Sequence, residues 1–320
     1  MNTRSDHTTA GAGVGVALGL ISALGFAAGP IFAILLYRLG FDWAPLLAWR
    51  FLIAAGLAWL VAVVVPVYRR DLATLPTREI AKLVALGILF VGSATTYYAA
   101  IVFVPVSVAV LVLNVSPALI AVFSLRLGLR LRGRQAWAAL VVSMVGAFLA
   151  VVGPDIAIDL LGVSLALASA VLYAVWAMFA ARSAGERRDG RVEGASSGAA
   201  VPIMFTATAV VLVGIVVIGP DSMSLAGMPA VGWLYLLGFA LIGSLAGIQA
   251  SYAAAARIGA SRTAIVLTTE PIFSVAMAVL ILEETLTPLH FLGGVLVVTG
   301  VLLLRIDLRS PAANPPSPSP

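Results

Sequence analysis

The chain is a succession of apolar runs, each close to the length that crosses a bilayer, and this leaves few folds open to it. The runs cover residues 11–36, 44–66, 80–103, 106–125, 135–152, 160–181, 200–219, 230–255, 262–282 and 289–304. At ~1.5 Å per residue each is about long enough to cross a ~30 Å hydrocarbon core as a helix. Inside a bilayer the backbone must satisfy its own hydrogen bonds, so helices are the form such runs take. Composition closes the soluble alternative: 62% of residues are hydrophobic and 10% charged, against roughly 45–50% and about 25% in soluble domains. The expectation is an all-α polytopic membrane protein of ten transmembrane helices. The first run is about twice the ~7–15 apolar residues of a signal peptide, so it reads as a retained helix.

The basic residues orient the chain. With the N-terminus placed inside, the inner segments hold 17 of the 19 Lys and Arg. Among them are Arg69, Arg70, Arg78 and Lys82, the cluster Arg126–Arg134, and Arg182, Arg187, Arg188 and Arg191. Only Arg38 falls in an external loop, and Arg50 lies within a span. Positive charge held on the cytoplasmic side sets orientation, so both termini are expected in the cytoplasm and the chain in the plasma (inner) membrane. The net charge of +5 then reflects topology and not nucleic-acid binding. With no cysteine and only His7 and His290, disulfides, thiolate chemistry and histidine-rich metal or haem sites drop out, and neither metal nor cofactor is expected. The linker 183–197 and the Pro/Ser-rich tail 310–320 carry too little apolar surface to fold.

The chain also matches itself. A shift of 154 residues lays Tyr98-Ala99-Ala100 on Tyr252-Ala253-Ala254, Ser107 on Ser261, Pro117 on Pro271 and Gly146 on Gly300. Such self-similarity marks a repeat, here residues 1–152 and 153–309. Each repeat would hold five spans, an odd number, so the halves sit inverted. The charges agree: the Arg126–Arg134 loop corresponds to Leu280–Pro288, which has no arginine and carries Glu283 and Glu284. Inverted repeats place a binding site near the midplane, between the halves.

Ten spans in paired repeats, Pro117 and the Glu270-Pro271 pair on the fourth and ninth helices, Trp49-Arg50-Phe51 early in the second and the Glu283-Glu284 exit from the ninth resemble the EamA family of the drug/metabolite transporter superfamily. The resemblance extends over residues 12–305. It implies a secondary transporter, with outward transport and a proton as coupling ion. The family often has an acidic-proline step and an acidic helix exit in the first repeat too. Here those positions read Ser116-Pro117 and Leu129-Arg130, which leaves any coupling role to the second half.

Few polar groups lie at membrane depth. An ionised Glu270 costs at least ~2.5 kcal/mol there; it is either a proton-coupling carboxylate or a structural one bonded to a neighbouring helix. Arg50 either pairs with a substrate carboxylate or Glu270, its fork matching a carboxylate bidentately, or it snorkels to outer headgroups or ties helix ends. Asn114 and Gln249 are further candidates because a buried amide needs several partners. Tyr98 and Tyr252 would stand on the cavity walls. Pro30, Pro117 and Pro271 each lack an amide hydrogen and should kink their helices. The run Gly243-Ser244-Leu245-Ala246-Gly247 reads as close helix packing.

The function these features favour is proton-coupled export of small amphipathic metabolites, amino acids or drugs. A uniporter or exchanger of the same fold is the alternative, with a channel or intramembrane enzyme further off. No Walker-type phosphate loop is present, so ATP is not the direct energy source. HExxH, Gly-x-Ser-x-Gly and paired intramembrane aspartates are missing, so no enzyme is expected. The partners are a small-molecule substrate, a proton and the lipid bilayer, with the chain a monomer or homodimer.

Overall fold

The structure, a computed structural model, describes residues 3–116, 159–183, 187–188, 191–192, 196–220, 222–258 and 260–307, with scattered positions between 119 and 149. The long apolar runs become helices: α1 (Thr3–Tyr37), α2 (Trp43–Val64), α4 (Thr77–Phe103), α6 (Leu160–Ser183) and α7 (Ser197–Ile218). With the continuous segment Ala230–Ala255, six helices among the described residues are long and apolar enough to cross a membrane. Between α2 and α4 lies a short helix, α3 (Pro66–Thr74), that buries none of its residues. Its Pro66 sits in the first turn, where the missing N–H has no helical partner to lose. The fifth run, Pro117 and the tail lie outside the described residues, apart from scattered positions in the fifth run. The 183–197 linker is not wholly without structure: β1 (Arg187–Arg188) pairs antiparallel with β2 (Arg191–Val192).

Three spans are interrupted. The fourth begins as α5 (Val106–Leu113) and stops at a turn through Asn114 and Val115. The eighth is α8 (Ala230–Ala240), a π-helical segment Leu241–Ala246, and α9 (Gly247–Ile258). The ninth is α10 (Ala260–Val266), a 3-10 turn Leu267–Thr269, and α11 (Glu270–Leu282), followed after a loop by α12 (Pro288–Asp307). Pro271 therefore does not bend a continuous helix. It stands in the first turn of a new one, because its ring and missing N–H forbid the bond that would carry the preceding turn through. Pro30, by contrast, lies inside the continuous α1. The turn at 114–115 and the 3-10 turn around 268–269 are 154 residues apart, the shift at which the sequence matches itself.

The helices pack in matched pairs. Helix α1 lies against α8, the π segment, α9 and α11, while α4 lies against α6 and α7; α2 packs on α7, and α5 on α11. Hydroxyls tie several of these pairs. Ser93 and Ser169 each donate to the other's backbone carbonyl, at 3.2 and 2.9 Å, joining α4 to α6. Ser22 donates to the Gly247 carbonyl at 2.7 Å, joining α1 to α9, and Gly247 again lies 154 residues beyond Ser93. Thr208 donates to the Gly87 carbonyl at 2.9 Å. The α1 backbone meets the π segment directly: a Cβ on Gly243 would fall 2.8 Å from the Gly29 Cα, so glycine is needed at position 243 of that crossing. Phe51, Phe239, Leu36, Leu46, Leu47, Leu212 and Leu236 form the fully buried centre.

Candidate functional site

Arg50 is the best defined of the polar groups. It lies seven residues into α2, ~10 Å along its axis, and is 7% exposed. Its Nε donates to Ser244 Oγ at 2.6 Å and its Nη2 to the Gly243 carbonyl at 2.8 Å. Both acceptors belong to the π-helical segment. A π turn displaces carbonyls from the usual ladder, and the Ser244 hydroxyl meanwhile donates back to the Phe239 carbonyl at 3.2 Å. Three rings surround the guanidinium carbon, Phe239 at 4.2 Å, Tyr98 at 4.9 Å and Phe51 at 5.1 Å from their centroids, all at cation–π distance.

No carboxylate among the described residues completes this arrangement. Among the described residues the ion pair is Lys82–Glu79, on the surface. Arg50 Nη1 is buried and makes no hydrogen bond of good geometry among the described residues. Arg50 thus neither snorkels to headgroups nor pairs with Glu270. It ties α2 to the π segment, with Tyr98 beside it. A buried cation without a counter-charge is costly in a bilayer.

Glu270 is the first residue of α11. From Leu282 it lies ~18 Å along the helix, roughly the middle of a ~30 Å core. It is half-buried and makes no ion pair among the described residues. The N-terminal dipole of α11 favours a carboxylate there while the apolar surroundings penalise its charge. Glu270 lies in electrostatic range of Tyr97 and Tyr98, and Tyr98 is also in range of Arg50. The Tyr37 hydroxyl donates to the Tyr98 carbonyl at 3.2 Å.

The remaining candidates fall elsewhere. The Asn114 amide donates to the Val110 carbonyl of its own helix at 2.9 Å, closing α5. Gln249 and Tyr252 are half-buried on α9, three residues apart and so on one face; Tyr252 packs against the main core. Helices α5 and α11 do meet, with Val275 packed on the cluster of Leu111, Val115 and Val297.

Two contacts were not foreseen. Glu284 accepts from the Val106 N–H at 2.7 Å, the Ser107 N–H at 3.2 Å and the Ser107 hydroxyl at 2.6 Å. It caps α5 from the far end of the ninth span, satisfying amide donors that a helix start leaves open. Glu283 enables this by adopting a left-handed conformation (φ 61°) at the end of α11. Nearby, Arg38 Nη2 donates to the Leu282 carbonyl at 2.8 Å, placing a cation at a helix C-terminus. The acidic pair and the lone external arginine were visible in the sequence, but their target was not.

Polar groups at breaks in spanning helices, between helices drawn from both halves, are an arrangement found in membrane transporters. Residues 160–306 match the EamA-like transporter family. The second half of the chain is similar to that family. An uncharacterized transporter of Synechocystis sp. is 27% identical over 227 residues, covering 68% of this chain. The chain spans 64% of the length of that curated relative. A protein known from its crystal structure is 17% identical and superposes with a TM-score of 0.61, over 92% of this chain and 99% of its own. At that identity the likeness is one of fold. Six helices long and apolar enough to cross a membrane make the chain a multi-pass membrane protein.

Proposed function

We propose that this EamA-like chain is a secondary transporter of ten helices in two inverted five-helix repeats, 1–152 and 153–309, with both termini in the cytoplasm. It exports a small amphipathic solute in exchange for protons. The observation that carries this reading is the pair of interrupted spans. The fourth and ninth break 154 residues apart, pack against each other through α5 and α11, and set Glu270 at an internal helix start. The packing supports the repeat: α1 on the eighth span mirrors α6 on α4, while α2–α7 and α5–α11 map onto themselves when the halves are exchanged. A structure built this way can open to either side by rocking one half against the other.

Within it Glu270 carries the proton and Arg50 holds the anionic end of the solute. A carboxylate half-buried at an internal helix start changes its hydration when the cavity opens, and protonation then follows the side to which it is exposed. One unpaired guanidinium ringed by Phe51, Tyr98 and Phe239 suits a single carboxylate on an apolar or aromatic body. It does not suit a multiply charged phosphate ester, which would need several cations.

Proteoliposomes with an imposed pH gradient and an internal pH dye test this, with aromatic and neutral amino acids and lipophilic cations as trial solutes. Solute-dependent proton movement that Glu270→Gln loses supports the reading. Solute flux with no proton movement, unchanged in that variant, makes the chain a uniporter or exchanger and returns Glu270 to a structural role.

A further inference from the structure

A second concave site lies away from the Arg50 cluster. A cavity of about 750 Å³ opens among α2, α3, α4 and α7, with Trp59 on its wall ~13 Å along α2 from Arg50. Its lining is apolar except at one end, where Arg69 of α3 stands. The wall on α4 runs from Ile80 to Ile88, ~12 Å, most of the depth of one leaflet of a ~30 Å core. The slot is open sideways, Ile88 being 48% and Val210 65% exposed. Its other polar groups are already engaged: the Trp59 indole N–H donates to Thr206 Oγ1 at 2.9 Å, and Thr206 donates to the Pro202 carbonyl at 2.7 Å.

The charge at the mouth is not engaged. Arg69 is exposed and its guanidinium has no hydrogen bond or ion pair among the described residues, whereas Lys82 is held by Glu79 at 2.6 Å. Asp71, the nearby acid on α3, is not paired with it. Helix α3 buries none of its residues and follows directly on the end of α2, which places Arg69 at headgroup depth. An apolar slot one leaflet deep with a free cation at its mouth has the polarity of a phospholipid. Basic pockets between spanning helices bind anionic headgroups in this way.

We propose that this slot is a binding site for one anionic phospholipid, an acyl chain lying along α4 and α7 and the phosphate on Arg69. The proposal goes beyond the transport reading and is tested without transport. The full chain, stripped of lipid and incubated with equal amounts of phosphatidylglycerol and phosphatidylcholine of the same chain length, is weighed by native mass spectrometry. Phosphatidylglycerol adducts should exceed phosphatidylcholine adducts about fivefold, the preference one basic residue near an anionic surface supplies. Arg69→Gln should bring the ratio near one while leaving adducts, and Arg70→Gln should leave the preference intact. Ala73→Trp, which fills the slot from the exposed face of α3, should remove the adduct of either lipid. A wild-type ratio near one, a preference that survives Arg69→Gln, or adducts that survive Ala73→Trp would overturn the proposal. Displacement of the lipid by soluble glycerol 3-phosphate would overturn it too, since the site would then read phosphate alone.

Discussion

Replacing Arg50 with methionine separates a structural arginine from one retained for its ligand. The substitution removes two interhelical hydrogen bonds, to Ser244 and Gly243. In membrane bundles such bonds average ~0.6 and reach ~1.7 kcal/mol each. It also removes contacts with three rings, each worth ~0.5–2 kcal/mol and far from additive when they share one cation. Against this, the variant no longer holds a charge at depth, which costs at least ~2.5 kcal/mol, nor an unsatisfied donor at Nη1, which costs ~1–3 kcal/mol. Losses and gains balance to within about 2 kcal/mol, and methionine fills much of the same volume. A thermal melt in detergent followed by tryptophan fluorescence should therefore shift by less than ~8 °C, at ~2–4 °C per kcal/mol. Solute binding should fall at least tenfold. A drop of more than ~10 °C would show that Arg50 holds the fold together, and a stable variant with unchanged binding would refute the substrate-anchor role.

Other expectations follow from the same contacts. Glu284→Ala leaves the first amides of α5 uncapped at a cost of about 1 kcal/mol; hydrogen exchange at Val106 and Ser107 should rise at least fivefold while the middle of α4 is unchanged. Gly87→Ala would place a Cβ 2.4 Å from the Met204 carbonyl oxygen and should destabilise by ~1–3 kcal/mol. Gly56→Ala, with nothing within 4 Å of the new carbon, should instead gain up to ~1 kcal/mol; melting the two side by side checks both signs. Because the chain has no cysteine, a thiol introduced at Ser222 should react with a membrane-impermeant maleimide on intact cells. One introduced at Thr74 should react only after the membrane is opened.

Hydropathy made most helices legible because burial in lipid is a property of whole twenty-residue stretches. Residues 44–66, 80–103 and 200–219 became α2, α4 and α7 within a few residues. What hydropathy averages over was not legible. The Gly243–Gly247 run read as small-residue packing, and it does pack against Gly29, but its π turn and its bonds to Arg50 of another helix could not be read from composition. Pro271 was visible as a helix disturbance, but whether a proline bends a helix or restarts one depends on what satisfies the freed carbonyls. Pro30 remains within α1 while Pro271 stands in the first turn of α11. Arg50 was legible as an anomaly because charge at depth is rare, whereas its ring cage comes from Phe239 and Tyr98, far away in the chain. The reach of Glu284 to Ser107 is likewise a tertiary fact: neighbours in sequence say only that an acid leaves the ninth span.

The central claim is that the broken ninth span lines a cavity exposed to one side of the membrane at a time. A single thiol at Thr269, beside Glu270 at the 3-10 turn, tests it by reaction with impermeant maleimide in intact cells and in inside-out vesicles. The account predicts labelling from both sides, with one rate rising as the other falls when the pH gradient is reversed. Labelling from one side only, or from both at rates indifferent to the gradient, would contradict it.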